Sequence, residues 1–409
     1  MTVLDGIALL VTLAAAFSFI NYRYIRLPSS IGLMLIALVM SLGIILLGSA
    51  GIHLEDEARQ VLGLIDFNQA LMTGMLSFLL FAGALHIDLA QLSQQRFAVG
   101  FLAVLGVVVS TTVVGVGLYY LLHLLGQPVP LSYCLVFGAL ISPTDPIAVL
   151  SIIRKLGTPK SLEMKIAGES LFNDGVGVVV FVELLAIAMG ERVFDGHEVL
   201  LFFVREALGG VAFGLALGYG AFRLLCKVDD YEVEVLITVA LVMGGYALAQ
   251  ALHLSGPIAI VVAGLLIGNQ GRRLAMSAHT REHLDSFWAL VDSMLNAVLF
   301  VLIGLEVLLL PFDARYFWAS VLVIPLVLLG RLASVALARL VPGLRRDFTV
   351  HVIAVLTWGG LRGGISVALA LSLPAGEVRP VVILLTYTVV VFSILVQGLT
   401  ISKLVRRKA

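Results

Sequence analysis

The chain has 409 residues, of which 60% are hydrophobic and 13% charged, with a mean hydropathy of +1.08 and a formal net charge of zero. That much apolar surface excludes a soluble globular protein of this length, and the balanced charge leaves no basic face for nucleic acid. The two cysteines, Cys134 and Cys226, are far apart and match no metal or redox spacing, so they read as apolar filler.

Apolar runs of about 17–25 residues, the length that crosses a bilayer as a helix, recur from end to end. Thirteen segments are expected, at about 3–21, 28–50, 61–88, 97–124, 130–152, 162–190, 198–225, 233–253, 256–270, 285–310, 316–340, 349–373 and 379–402. The fold class is therefore an all-α polytopic membrane protein. The first run lacks a basic flank and a small-residue cleavage site, and reads as a retained helix rather than a signal peptide. The third is interrupted by polar residues and the ninth is short. Basic residues orient the chain, because cytoplasmic loops hold the excess of Lys and Arg. With the N-terminus outside and the C-terminus in the cytoplasm, 19 of the 26 Lys and Arg fall inside, 4 outside and 3 within segments. No loop is long enough for a soluble domain.

The fifth segment, "LVFGALISPTDPIAVLSII", carries Pro143 and Pro146, each of which removes a backbone donor and clashes with the preceding turn. The twelfth, "VIAVLTWGGLRGGISVALAL", carries Gly359, Gly360, Gly363 and Gly364, which weaken a helix at its centre. Unwound backbone at membrane depth is tolerated only inside protein or beside a wet cavity. The two segments are seven apart and so run in opposite directions, the arrangement of an inverted repeat of six helices plus six. On that reading residues 1–190 form the first repeat, 198–225 a connector and 233–402 the second. Matched discontinuous helices point to a transport site.

Charges at membrane depth are costly and face an interior or a cavity. In "GESLFNDGVGVVVF", Glu169 and Asn173 share one helical face, and Ser170 and Asp174 the next. The Ser170 hydroxyl, Asn173 amide, Asp174 carboxylate and carbonyls freed at Thr144–Asp145 supply oxygen ligands, which suit hard cations. Glu169 and Arg331 lie at equal depth, which predicts a buried pair, read as a structural clasp rather than a substrate ligand. Asp174, level with Asp145 and Arg362, has no matching cation on its own face and reads as functional. Asp145 reads either as an ion ligand or as the group that orients Asn173. Arg362 reads as neutralising helix carbonyls or a carboxylate. Arg205, Glu206, Glu232 and Glu234 fall near segment ends and read as snorkelling. Asp292 and Glu306 flank the apolar part of the tenth segment and read as interfacial. Glu183 has no role assigned, nor have the eight histidines, which lie mostly at segment edges.

At "SPTDPIAVL", "GESLFNDGVGVVVF", "NAVLFVLIGLE" and "TWGGLRGGISVALAL" the chain resembles the bacterial NhaP-type and animal NHE-type sodium/proton antiporters. The likeness runs along essentially the whole membrane domain. It implies a thirteen-helix NhaA/NhaP-like fold with two crossed broken helices. It also implies a mobile core domain, approximately 97–190 and 316–402, beside a dimerisation domain, working as a homodimer by an elevator movement. Asn173–Asp174 corresponds to the family's Asn-Asp pair, Asp145 to the Asp of its Thr-Asp-Pro break, and Glu169 with Arg331 to its buried ion pair. The resemblance implies that Asp174 binds cation or proton, with Na⁺ held at Asp174, Ser170 and the Thr144 carbonyl. The long regulatory tail of the animal exchangers is absent.

The residues alone support a cation-coupled transporter, and the resemblance supplies the ions. The expected function is antiport of Na⁺, or Li⁺, against H⁺ in a lipid bilayer, by a transporter without cofactors, in a bacterial inner membrane. K⁺/H⁺ exchange is the alternative within the class. An intramembrane aspartyl protease would need two aspartates sharing a proton. Asp145, however, sits among prolines, and neither aspartate follows Gly-x-Gly. A cation channel would need no proton coupling, and ion pairs between separate helices fit a moving core better.

Overall fold

The computed structural model describes residues 3–49, 67–192, 195–309 and 314–406. The first residues of the expected third segment, together with Arg59, Arg407 and Lys408, lie outside them. Among the described residues the chain is helical and has no β-strand. The helices are α1 Leu4–Ile25, α2 Ser29–Gly48, α3 Phe67–Leu85 and α4 Arg96–Leu124. Next come α5 Leu131–Leu140, α6 Ile147–Lys155 and α7 Lys160–Ala188. They are followed by α8 Gly196–Leu225, α9 Tyr231–Ala251, α10 Gly256–Leu266 and α11 Ala278–Leu309. The last are α12 Phe317–Leu340, α13 Val350–Trp358, α14 Gly364–Leu371 and α15 Val378–Arg406.

Ten of these, α1–α4, α7–α9, α11, α12 and α15, are long and apolar enough to cross a membrane, against the thirteen segments expected. The other three expected segments are the two interrupted ones and the short ninth. Their helical pieces run only 10 and 9 (α5, α6), 11 (α10), and 9 and 8 residues (α13, α14). The interruptions fall where the sequence weakens the helix. α5 ends before Pro143, α6 begins after Pro146, and α13 stops at Gly359 with α14 resuming at Gly364.

The helices pack in two sets of neighbours. α4 and α7 flank α5, α12 lies on α4, and α15 packs on α12, α13 and α14. In the other set, α10 sits among α3, α8 and α9, and α11 packs on α2 and α3. Large apolar side chains stay exposed on α8, among them Leu201, Leu208, Leu215 and Tyr219, as a bilayer-facing surface requires.

Two acidic residues depart from the sequence reading. Glu234, expected to snorkel, is fully buried, and Glu306, expected to be interfacial, is also buried. Each lies near a helix end that another helix covers. Glu234 opens α9, which is tied to α11 by Trp288 Nε1 donating to Thr238 Oγ1 at 3.0 Å. Glu306 lies where α2 packs on α11, with Ser41 Oγ donating to the Gly304 carbonyl at 2.9 Å. Glu183, which had no role, is buried and accepts a hydrogen bond from Arg192 at 2.7 Å.

Candidate functional site

The two interruptions meet. Asp145 N–H donates to the Leu361 carbonyl at 2.8 Å, so the extended links α5–α6 and α13–α14 cross as an isolated antiparallel bridge. The backbone groups that helix breaking frees are taken up by protein, as burial demands. Arg362 N–H donates to Ser393 Oγ at 3.0 Å, and Gln397 Nε2 to the Trp358 carbonyl at 2.9 Å. Ile147 N–H, at the start of α6, donates to Asp145 Oδ1 at 2.9 Å. The Arg362 guanidinium is buried and donates to the carbonyls of Ser142 and Pro143, the latter at 3.0 Å. Of the two partners the sequence left open for Arg362, these are the carbonyls. They lie just past the C-terminus of α5, where a cation is favoured.

α7 holds the first crossing link. Asn173 accepts from Thr144 N–H at 3.3 Å and donates to Thr144 Oγ1 at 2.9 Å. Ser170 Oγ donates to the Thr144 carbonyl. One turn before Asn173, Glu169 receives both terminal nitrogens of Arg331, one at 2.9 Å, while Arg331 Nε donates to the Leu356 carbonyl at 3.1 Å. Both partners of this pair are buried. Two glycines make room for these groups. A Cβ at Gly360 would lie 2.6 Å from Arg331 Nε, and one at Gly363 would lie 2.5 Å from Asp145 Oδ2.

A cavity of about 290 Å³ reaches from this crossing to the exposed His86 and Arg154, room for several water molecules. Asp174, Ser170, Thr144 and Asp145 line it. Asn173 does not; both ends of its amide are engaged on Thr144, behind the wall. Glu169, Arg331 and Arg362 also lie outside the cavity lining. The structure thus separates the expected site residues into a lining set of carboxylate, hydroxyl and carbonyl oxygens and a set that fixes the crossing. Oxygens of that kind accept a proton or a hard monovalent cation.

At the mouth, Arg154 pairs with Glu163 at 3.6 Å. His86 Nδ1 lies 3.3 Å from a terminal nitrogen of Arg272. The lining also includes Asp292 and Asn296 of α11, which the sequence reading left at the membrane interface or unremarked. Their signal was a carboxylate and an amide four residues apart on one face of α11, past its charged first turns.

A family profile described as "Sodium/hydrogen exchanger, transmembrane" matches residues 8–407. The Na(+)/H(+) antiporter NhaP of Pseudomonas aeruginosa is 52% identical over 410 residues, covering 99% of this chain and 96% of that one. The Na(+)/H(+) antiporter NhaH of Halobacillus dabanensis is 37% identical, covering 98% and 97%. Among solved structures, the sodium proton antiporter MjNhaP1 from Methanocaldococcus jannaschii at pH 8 superposes with a TM-score of 0.80 over 99% of this chain and 98% of that one. At 19% identity that likeness speaks for the fold alone.

Proposed function

The chain belongs to the sodium/hydrogen exchanger family, and we propose that it exchanges Na⁺, or Li⁺, for H⁺ at a single carboxylate, Asp174. The observation that carries this reading is the placing of Asp174 on the cavity of about 290 Å³ that Ser170, Thr144 and Asp145 also line. A proton and a cation compete for one carboxylate, and that competition is what couples their movements. Ser170 and the Thr144 carbonyl complete the oxygen shell of Na⁺, and Asp145 adds negative charge across the crossing. Asn173 positions Thr144, Glu169–Arg331 clasps α7 to α12, and Arg362 holds the end of α5.

The packing into two sets supports an elevator movement, with α4–α7 and α12–α15 as the mobile core and the remaining helices as the dimerisation domain of a homodimer. With the N-terminus outside, the mouth at His86 and Arg154 faces the cytoplasm of a bacterial cell, and the arrangement is the inward-facing one. The test is dequenching of an acridine dye in acid-loaded vesicles on addition of Na⁺, Li⁺ or K⁺ in turn. Dequenching by Na⁺ supports the reading, and none by Na⁺ or Li⁺ overturns it.

A further inference from the structure

Asp292 and Asn296 sit on α11, a different helix from those that carry Asp174 and Asp145, yet they line the same cavity. They are one turn apart and share a face. Asn296 Nδ2 donates to Asp292 Oδ1 at 3.0 Å. Asn296 is only 6% exposed, and among the described residues its Oδ1 has no hydrogen-bond partner. Buried acceptors are rarely left so, because they lose their hydration without replacement. Among the described residues no basic side chain lies within salt-bridge distance of Asp292. Two residues that line one cavity thus carry a carboxylate without a counter-ion and a buried amide oxygen without a donor. Both ask for a positive charge or a donor there.

We propose that Asp292 and Asn296 form a second cation station, where a partly hydrated alkali cation pauses between the mouth and Asp174. Asp292 lies two turns into the expected tenth segment from its inner end, and Asp174 lies near mid-membrane. The station therefore falls on the entry path. Its chemistry differs from that of the exchange site. One carboxylate and one amide oxygen leave most of the ion's water in place, so the station gathers ions without holding them. In the elevator arrangement α11 belongs to the stationary set, so the station stays at the mouth while Asp174 moves. This inference rests on the antiport reading.

Everted vesicles from a host without its own sodium/proton antiporters present the cytoplasmic face to added Na⁺. In dye dequenching, Asp292→Asn is expected to raise the half-saturating Na⁺ concentration by about five- to tenfold, the scale of one lost nearby charge in a solvated cavity. It should raise half-saturation far more than it lowers the maximal rate. Asp292→Glu should restore the wild-type value, Asn296→Ala should raise it by a few fold, and high choline chloride should narrow all differences by screening. A merely structural role would lower the maximal rate and leave half-saturation unmoved, and that result overturns the station. Stabilisation of the purified protein against heat by Na⁺ provides a readout that needs no transport. Its midpoint in Na⁺ should move upward in Asp292→Asn, and an unchanged midpoint also overturns the station. Wild-type vesicles that give no response to Na⁺ would overturn the antiport reading instead, and the heat-protection midpoints still decide for or against Asp292.

Discussion

Arg331 donates both terminal nitrogens of its guanidinium to the Glu169 carboxylate, 162 residues away in the chain, and its Nε to the Leu356 carbonyl. One buried cation thus joins α7, α12 and the first half of a broken helix. Removing one partner of a buried pair strands the other charge at a cost of about 3–5 kcal/mol. Arg331→Ala should lower the thermal stability of the purified protein strongly, and adding Glu169→Gln should recover part of the loss. A double variant no more stable than Arg331→Ala would show that the pair does not act as a clasp.

Asp174→Asn keeps the shape of the side chain and removes both the charge and the titratable proton. Exchange should fall to the background of empty vesicles. Size-exclusion elution and thermal unfolding should stay near wild type, because among the described residues Asp174 makes no hydrogen bond that holds the crossing. Near-wild-type exchange by purified Asp174→Asn protein would move the shared site elsewhere.

Gly363 lies against the Asp145 carboxylate, and an added Cβ would sit 2.5 Å from its Oδ2. Gly363→Ala should therefore displace Asp145 or the link that carries it, costing about 1–3 kcal/mol as overpacking does. Exchange should drop at least about tenfold, as one such increment in a barrier does. Gly376→Ala is the control, since a Cβ there meets nothing within 4 Å. Equal exchange by the two variants would remove the role given to the close approach.

The interruptions were legible because their cause is local. Proline lacks an N–H and glycine lacks a Cβ wherever they occur, so Pro143, Pro146 and the four glycines of the twelfth segment mark the breaks without any tertiary information. The Glu169–Arg331 meeting was legible for a different reason. Membrane depth is a shared coordinate that segment direction supplies, and two opposite charges at one depth have few other partners. Asn173 was harder. Its place on α7 follows from helical spacing, but only the path of the link decides that its amide grips Thr144 rather than the cavity. Glu234 and Glu306 were misread, and the place of Asp292 on the cavity was missed, because position along a helix says nothing of which neighbour it meets. The packing of α2 and α9 on α11, and the opening of the cavity beside α11, are properties of the assembled bundle.

Exchange at this site should carry one proton per monovalent cation and move no net charge. Only groups that face the ion and can change their proton set the stoichiometry. Among the described residues no lysine lines the cavity. The arginine at its mouth, Arg154, pairs with Glu163 at 3.6 Å. Arg331 and Arg362 lie behind the wall, the one on Glu169 and the other on the Ser142 and Pro143 carbonyls. Asn173 stands beside Asp174 and has no titratable proton, unlike an aspartate at that place. If Asp145, which accepts from Ile147 N–H at the start of α6, stays ionised, Asp174 alone alternates between proton and cation. Both loaded forms then carry the same charge through the membrane. Such an exchanger responds to the ion and pH gradients and not to voltage, whereas each net charge moved would couple to about 2.3 kcal/mol per 100 mV. The measurement is Na⁺/H⁺ exchange in proteoliposomes clamped with K⁺ and valinomycin at zero and at roughly −100 mV, one step on that voltage scale. The balance point of Na⁺ against pH should not move between the two. A balance point that follows the voltage would mean that a second proton travels, and Asp145→Asn should then abolish the voltage dependence.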